Sequence, residues 1–378
     1  MTNKVKPKII IDARLYGPAK TGIGRYTQNL LLALKNQKNF KNFSFGLIVK
    51  NEDLTQVKKD LGKSFSYNPT SISHYSLQEQ LFLPSFIKAL STDLVHFTHF
   101  NKPILYFGKS LITVHDLIKH VFKGKNTTTR SFFTYWPKYL AYRLATEINI
   151  KNNHIIVPSN YWRDILINRF GVTSSEITTI YVAVDPKFLS FSKKFKNFKL
   201  KIKNYILYTG NLYPHKNIKV ILEALQKLPG IHLKIICARS VFQKQVKLLS
   251  QKLGIDSQVT FLGFVNDSDF PKLYSQALCL VHPSFLEGFS LTGLEAMSLN
   301  CPVIAASSSC LPEIYGSSVL YFDPSNRDDL VKQITLLLKN PLLRSSLITQ
   351  GHQQLVKYSW TKTAAATLKI YEEILERS

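Results

Sequence analysis

Acidic residues are scarce in this 378-residue chain: 24 Asp and Glu stand against 49 Lys and Arg, a formal net charge of +25. Such an excess points to anionic partners, whether nucleic acid, an acidic membrane surface or a phosphorylated substrate, with a lysine-rich proteome as the plainer origin. Residues 1–190 hold 26 basic against 11 acidic groups and the remainder 23 against 13. A charge spread this evenly argues against a dedicated groove, so no nucleic acid is expected as a partner. Cysteine is nearly absent. Cys237, Cys279, Cys301 and Cys310 lack the paired spacing of a zinc site, and three lie in or beside apolar runs, so they read as reduced core residues of a cytoplasmic protein. No stretch approaches the roughly 18 uncharged apolar residues of a spanning helix. The early run Ile9–Ile11 is cut at once by Asp12 and Arg14, which leaves no signal-peptide core. Neither membrane integration nor export by the usual route is expected.

What is present is globular: 45% of residues are apolar and 19% charged, over a length that calls for two cores. Short apolar runs at Lys8–Asp12, Phe45–Val49, Leu94–Phe97, Leu111–Val114 and Ile155–Val157 alternate with helical patterns, as in a parallel α/β sheet. Between Ser190 and Asn204 the pattern breaks, with lysine at 193, 194, 196, 199, 201 and 203. The expected domains are therefore 1–190 and 191–358. In the second, the alternation restarts at Tyr205–Thr209, Leu233–Cys237, Val259–Leu262, Cys279–Val281, Val303–Ala305 and Val319–Phe322. Residues 359–378 carry Trp360, Ala364, Leu368, Tyr371 and Leu375 at helical spacing, an amphipathic helix expected to cross back to the N-terminal domain.

The strongest chemical signal is Glu287-Gly288-Phe289-Ser290-Leu291 leading to Glu295-Ala296-Met297, between an apolar strand and a helical pattern. A strand, a turn and a helix start form an anion site, because first-turn amides and the helix dipole suit a diphosphate. Two carboxylates eight residues apart can flank it and accept hydroxyl hydrogen bonds. The bland alternative makes Glu287 a helix cap and Glu295 a solvated helix residue. A second element, Gly210-Asn211-Leu212-Tyr213-Pro214-His215-Lys216-Asn217, again follows a strand. Lys216 would supply a point charge to a phosphate, or is one more surface lysine. Thr21-Gly22-Ile23-Gly24-Arg25-Tyr26 is only a weak dinucleotide fingerprint. His115-Asp116 sits at a strand end, where chemistry sits in such sheets, unless His115 simply bonds to backbone.

Taken together, these motifs resemble the GT4 (group 1) retaining glycosyltransferases, mannosyltransferase-like members in particular, from about Asp12 to Trp360. The resemblance implies a GT-B fold, two Rossmann-like domains facing a central cleft. It implies that Glu287 contacts the donor sugar, the backbone of Phe289–Leu291 holds the diphosphate, and Glu295 holds the ribose. Lys216 is then the leaving-group lysine, and His115 contacts the transferred sugar. The Asp12-x-Arg14 start and the Gly22–Gly24 loop would line the opposite wall. Pro158-Ser159-Asn160 with Arg163, Ser307–Glu313 and Tyr321-Phe322-Asp323-Pro324 extend the match. The chain departs from the pattern with Asn211 in place of an arginine and Ser290 in place of a glycine, whose backbone freedom is greater. The implied reaction is transfer of a hexose, mannose first, from a GDP- or UDP-linked nucleotide-sugar to a glycan or lipid-phosphate-linked acceptor, without cofactor or catalytic metal. An epimerase or phosphorylase of the same fold is the rival enzyme, and a nucleic-acid binder the rival that charge alone suggests.

Two metal-like motifs are set aside: Asp267-Ser268-Asp269, which helix capping accounts for, and His96 with His99, which lack a third ligand. Between Asp116 and Glu147, Lys119, Lys123, Lys125, Arg130, Lys138 and Arg143 interleave with seven aromatic residues. That pattern suits peripheral contact with an anionic membrane, and equally an ordinary helix with Phe133, Trp136, Leu140 and Leu144 in the core.

Overall fold

The computed structural model describes residues 6–124, 128, 132–195, 202–238, 240–266 and 268–377. They form two compact units, each built on its own parallel sheet. The first comprises residues 1–117, 136–183 and 359–378, and the second 118–135 and 184–358.

The first sheet contains β1 (Lys8–Asp12), β2 (Ser44–Lys50), β3 (Ser66–Thr70), β4 (Leu94–Phe97), β5 (Ser110–Thr113), β6 (His154–Val157) and β7 (Ile177–Thr179), in the order β3-β2-β1-β4-β5-β6-β7. Its central strands are mostly apolar, because helices cover both faces of such a sheet: Ile9, Ile10, Ile11, Leu94, Val95, Leu111 and Ile112 are fully buried. The closing helix, Trp360–Glu376, starts on a serine cap, Ser359 accepting from the Lys362 N–H at 3.2 Å. It packs on this unit, where Tyr371 Oη meets His96 Nδ1 at 2.7 Å and the Thr363 hydroxyl donates to the Tyr181 carbonyl at 2.7 Å. His96 spends its other nitrogen on Thr113 Oγ1 at 2.9 Å. It is a core histidine with both ring nitrogens in use.

The second sheet contains β8 (Tyr205–Thr209), β9 (His232–Ile236), β10 (Val259–Gly263), β11 (Cys279–His282), β12 (Val303–Ala306) and β13 (Leu320–Phe322), in the order β10-β9-β8-β11-β12-β13. The main division between the units falls at Ala183/Val184, ahead of the lysine-rich segment expected to mark it. The reason is that helix Pro186–Phe195 belongs to the second unit, where Phe188 is buried against Phe270 with ring centroids 5.8 Å apart. Residues 118–135, expected in the first domain, also group with the second unit.

The helix Phe132–Lys151 corrects the core alternative. Phe133, Leu140 and Leu144 are 85%, 58% and 60% exposed, while Tyr139 is buried. Lys125 and Arg130 lie outside the described residues.

Candidate active site

In each sheet the strand order reverses once, between β1 and β4 and between β8 and β11. Chain leaving the carboxyl ends of such strands forms the ligand crevice of open α/β sheets. In the second unit β8 runs into Gly210, at φ +140° with its Cβ position nearly open, then exposed Asn211 and the turn Pro214–Lys216. The turn ends on Asn217 at φ +52°, an angle asparagine tolerates. The Asn217 amide donates to the carbonyls of Pro283 and Pro324 at 3.2 and 2.8 Å, tying the β8 loop to the loop after β11. That tie aims Lys216 at Glu287.

Lys216 Nζ donates to both carboxylate oxygens of Glu287, at 2.7 and 2.6 Å, and His282 Nε2 donates to Oε1 at 2.8 Å. The Glu287 backbone is held in turn by Ser309 Oγ, 3.0 Å from its amide and 3.1 Å from its carbonyl. Burial by itself would raise the Glu287 carboxyl, but the Lys216 ammonium and then His282 hold it well below the usual carboxylate range. Glu287 therefore does not cap the helix Leu291–Ser298, whose N-cap is Ser290 with no side-chain cap bond. Nor is Glu295 solvated: it is 9% exposed within that helix. Gly288 and Leu291 are half-buried, and Phe289 is buried, edge-on to Tyr358 at 5.5 Å. Of the first-turn amides, Gly293 N–H is already given to Tyr315 Oη at 3.1 Å.

Two buried polar atoms beside this pair, His215 Nδ1 and Ser284 Oγ, have no hydrogen-bond partner among the described residues. Burial, then the neighbouring Lys216 ammonium, lowers His215 to about 4 and keeps it neutral. Unpaired buried groups are costly in a finished core, and the polar atoms of a ligand beside Lys216 would satisfy these two. Sequence reasoning missed His282, Ser284 and Tyr315, and gave Ser309 no role beyond its place in the Ser307–Glu313 match. His282 ends a recognisable strand and was within reach. Tyr315 arrives from a separate helix, Leu311–Tyr315, at no telling spacing.

In the first unit, Asp12 ends β1 and receives a two-pronged Arg14 guanidinium at 2.9 and 2.7 Å, while Arg14 also reaches Glu79 at 2.7 Å. Gly24 closes the following loop, accepting from Gly17 N–H at 3.0 Å; a Cβ there would lie 2.2 Å from the Gly17 oxygen. Gly22, in the first turn of the helix Thr21–Leu34, has open space at its Cβ position. His115 follows β5. Its Nε2–H donates to the Thr98 carbonyl at 2.9 Å and its ring stands edge-on to Tyr26 at 4.6 Å. Burial lowers its pKa to about 4 against the opposing effect of that bond. His115 is thus neutral, backbone-anchored as one alternative had it, and left with Nδ1 as an acceptor.

Among the described residues, no group of three or more His, Cys, Asp or Glu is placed to hold a metal. Asp269 precedes the helix Phe270–Gln276 without a side-chain cap bond, so capping does not account for it, and Asp267 lies outside the described residues. No described helix is long and apolar enough to cross a membrane.

Two family descriptions match nearly end to end: "Glycosyltransferase Family 4" over residues 21–188 and "Glycosyl transferases group 1" over residues 190–354. Among curated proteins, the chain is 27% identical to the O-antigen chain mannosyltransferase B of Escherichia coli over 285 residues, 72% of this chain and 74% of that one. It is 26% identical to the O-antigen chain mannosyltransferase RfbU of Salmonella typhimurium over 337 residues, 84% and 87% of the two chains. Among solved structures, sucrose-phosphate synthase from Thermosynechococcus elongatus superposes with a TM-score of 0.74 at 18% identity, covering 99% of this chain and all of that one. Anabaena HepE in complex with UDP and glucose gives 0.69 at 17% identity, covering 97% of this chain and all of that one.

Proposed function

The chain belongs to the group 1, family 4 glycosyltransferases and has their GT-B fold, and from that premise we propose that it is a retaining, metal-independent mannosyltransferase using GDP-mannose. The observation that carries the reading is the Lys216–Glu287 pair at the β8/β11 switch point, bordered by the orphaned polar atoms of His215 and Ser284. The two curated relatives described above are named for mannose transfer onto O-antigen chains, which favours mannose as the sugar and a lipid-linked glycan as the acceptor.

In this reading the diphosphate lies over the start of the helix Leu291–Ser298 and beside Lys216, with Glu287 facing the sugar and Glu295 the ribose. The ammonium stabilises charge that develops on the leaving phosphate, where preorganised electrostatics act most strongly. With Asn211 supplying no cation, Lys216 carries that charge without a second basic side chain from this loop. On the first unit, neutral His115 offers Nδ1 as an acceptor for a sugar hydroxyl. Incubation of the protein with GDP-mannose and an alkyl mannoside, followed by proton NMR of the product, tests this. An axial, α-linked mannoside supports the reading; a β-linked product, or transfer only from another donor, refutes it.

The acceptor side extends to an anionic membrane surface. The exposed Leu140 and Leu144, with Lys138 and Arg143 on the same helix, combine apolar and basic groups as an interfacial helix does. Sedimentation with vesicles containing phosphatidylglycerol should fall when Leu140 and Leu144 become serine. Native protein that stays in the supernatant removes the membrane from the account.

A further inference from the structure

Ser290 stands at φ +80° and ψ +65°, in the left-handed region that glycine favours, at the position where the family pattern carries glycine. The hydroxyl that distinguishes it from glycine is fully engaged. Ser290 Oγ lies 2.7 Å from Tyr315 Oη and 3.0 Å from His282 Nδ1. Tyr315 Oη donates to the Ser290 carbonyl at 2.9 Å and accepts the Gly293 N–H at 3.1 Å.

The proton directions follow from these partners. A carboxylate only accepts, so His282 gives its Nε2 proton to Glu287. Its Nδ1 is then the acceptor, and two hydroxyls stand 3.0 Å from it, Ser290 Oγ and Tyr315 Oη. The two hydroxyls are also 2.7 Å from each other, so Ser290 Oγ is half of the pair that faces Nδ1. Gly293 is a second, independent sign that this arrangement is built. A Cβ there would lie 2.3 Å from Tyr315 Cζ and Oη, so a poor helix former occupies a helix interior where the phenol must pass.

We propose that Ser290 is a positioning residue for transfer: with Tyr315 it holds His282 in one tautomer and one orientation, and His282 holds the Glu287 carboxylate against the sugar. The proposal rests on the reading of this site as the donor site. A glycine at 290 relaxes the backbone but removes the hydroxyl, so Nδ1 loses one of its two hydroxyl partners, Tyr315 Oη loses its 2.7 Å neighbour, and the imidazole that bonds Glu287 is held less tightly.

The test compares native protein with Ser290→Gly and Tyr315→Phe in three measurements: unfolding temperature, 15N NMR of the histidine rings, and release of GDP from GDP-mannose with an alkyl mannoside as acceptor. Ser290→Gly should unfold at or above the native temperature, lose the single His282 tautomer, and lower kcat at least about tenfold with donor KM changed less than about twofold. Native kcat and a native His282 spectrum in Ser290→Gly would overturn the proposal. So would losses of kcat that simply follow losses of unfolding temperature in both variants. If native protein releases no GDP while Ser290→Gly still frees His282, the donor reading has failed and the role in transfer with it; the persisting NMR change tells that failure apart from a failure of the Ser290 contact.

Discussion

Lys216 Nζ sits 2.6 and 2.7 Å from the two carboxylate oxygens of Glu287, with side chains only 18% and 9% exposed. Each charge is shielded from water and compensated by the other. Removing one partner leaves the other buried without the opposite charge. Lys216→Met and Glu287→Gln should each destabilise the protein by about 2–4 kcal/mol, and the double variant by less than their sum. Urea unfolding of the four proteins measures this cycle, and additive losses would show that the pair is not coupled.

Arg14 makes the corresponding prediction in the first unit. It is 1% exposed and serves two buried carboxylates, Asp12 and Glu79. Together the two anions outweigh the cost of burying the guanidinium and hold it above its usual range, while Arg14, against burial, lowers Asp12 to about 2. A lysine keeps the charge and loses the fork. Arg14→Lys should therefore unfold at clearly lower urea than native protein, and Arg14→Met lower still.

Gly293→Ala tests local propensity against packing. In an exposed helix interior the change would stabilise by about 1 kcal/mol. Here the new methyl would meet the Tyr315 ring at 2.3 Å, so thermal unfolding should instead occur at a lower temperature.

Three histidines set the acid side of stability. Burial holds His96 at about 3, and His115 and His215 at about 4, below the ordinary 6.5. The unfolded chain binds protons at these rings between pH 6.5 and 4 that the folded chain does not, so stability is full above about 6.5 and is lost as pH falls through that window. The depressed Glu287 carboxyl, whose stabilisation is present above its unfolded value, extends the loss below about 4.5. Urea midpoints should fall from pH 7 to pH 5. A flat profile would mean that the rings are not buried in solution.

Strands were legible where parallel-sheet burial demands an unbroken apolar run: β1, β4 and β8 fall at the expected residues, and the other central strands within about a residue. The two that were missed, Ser66–Thr70 and Ile177–Thr179, are the edges of the first sheet. An edge strand is covered on fewer sides, so it tolerates polar residues and even Pro69. The site was legible where chemistry lies in contiguous motifs, as at Lys216 and Glu287. It was not legible where tertiary contact supplies the partner, as with Tyr315 brought across to Ser290. The core reading of Phe133, Leu140 and Leu144 failed because helical spacing states which residues share a face, not which face is covered.

The central claim is a nucleotide-sugar site built on Lys216, Glu287 and Glu295. Calorimetric titration with GDP-mannose, UDP-glucose and ADP-glucose, on native protein and on Glu295→Ala, tests it most directly. Micromolar binding of GDP-mannose in preference to the others, abolished in the variant, is the predicted result; heat changes indistinguishable from dilution for all three donors with native protein would contradict it.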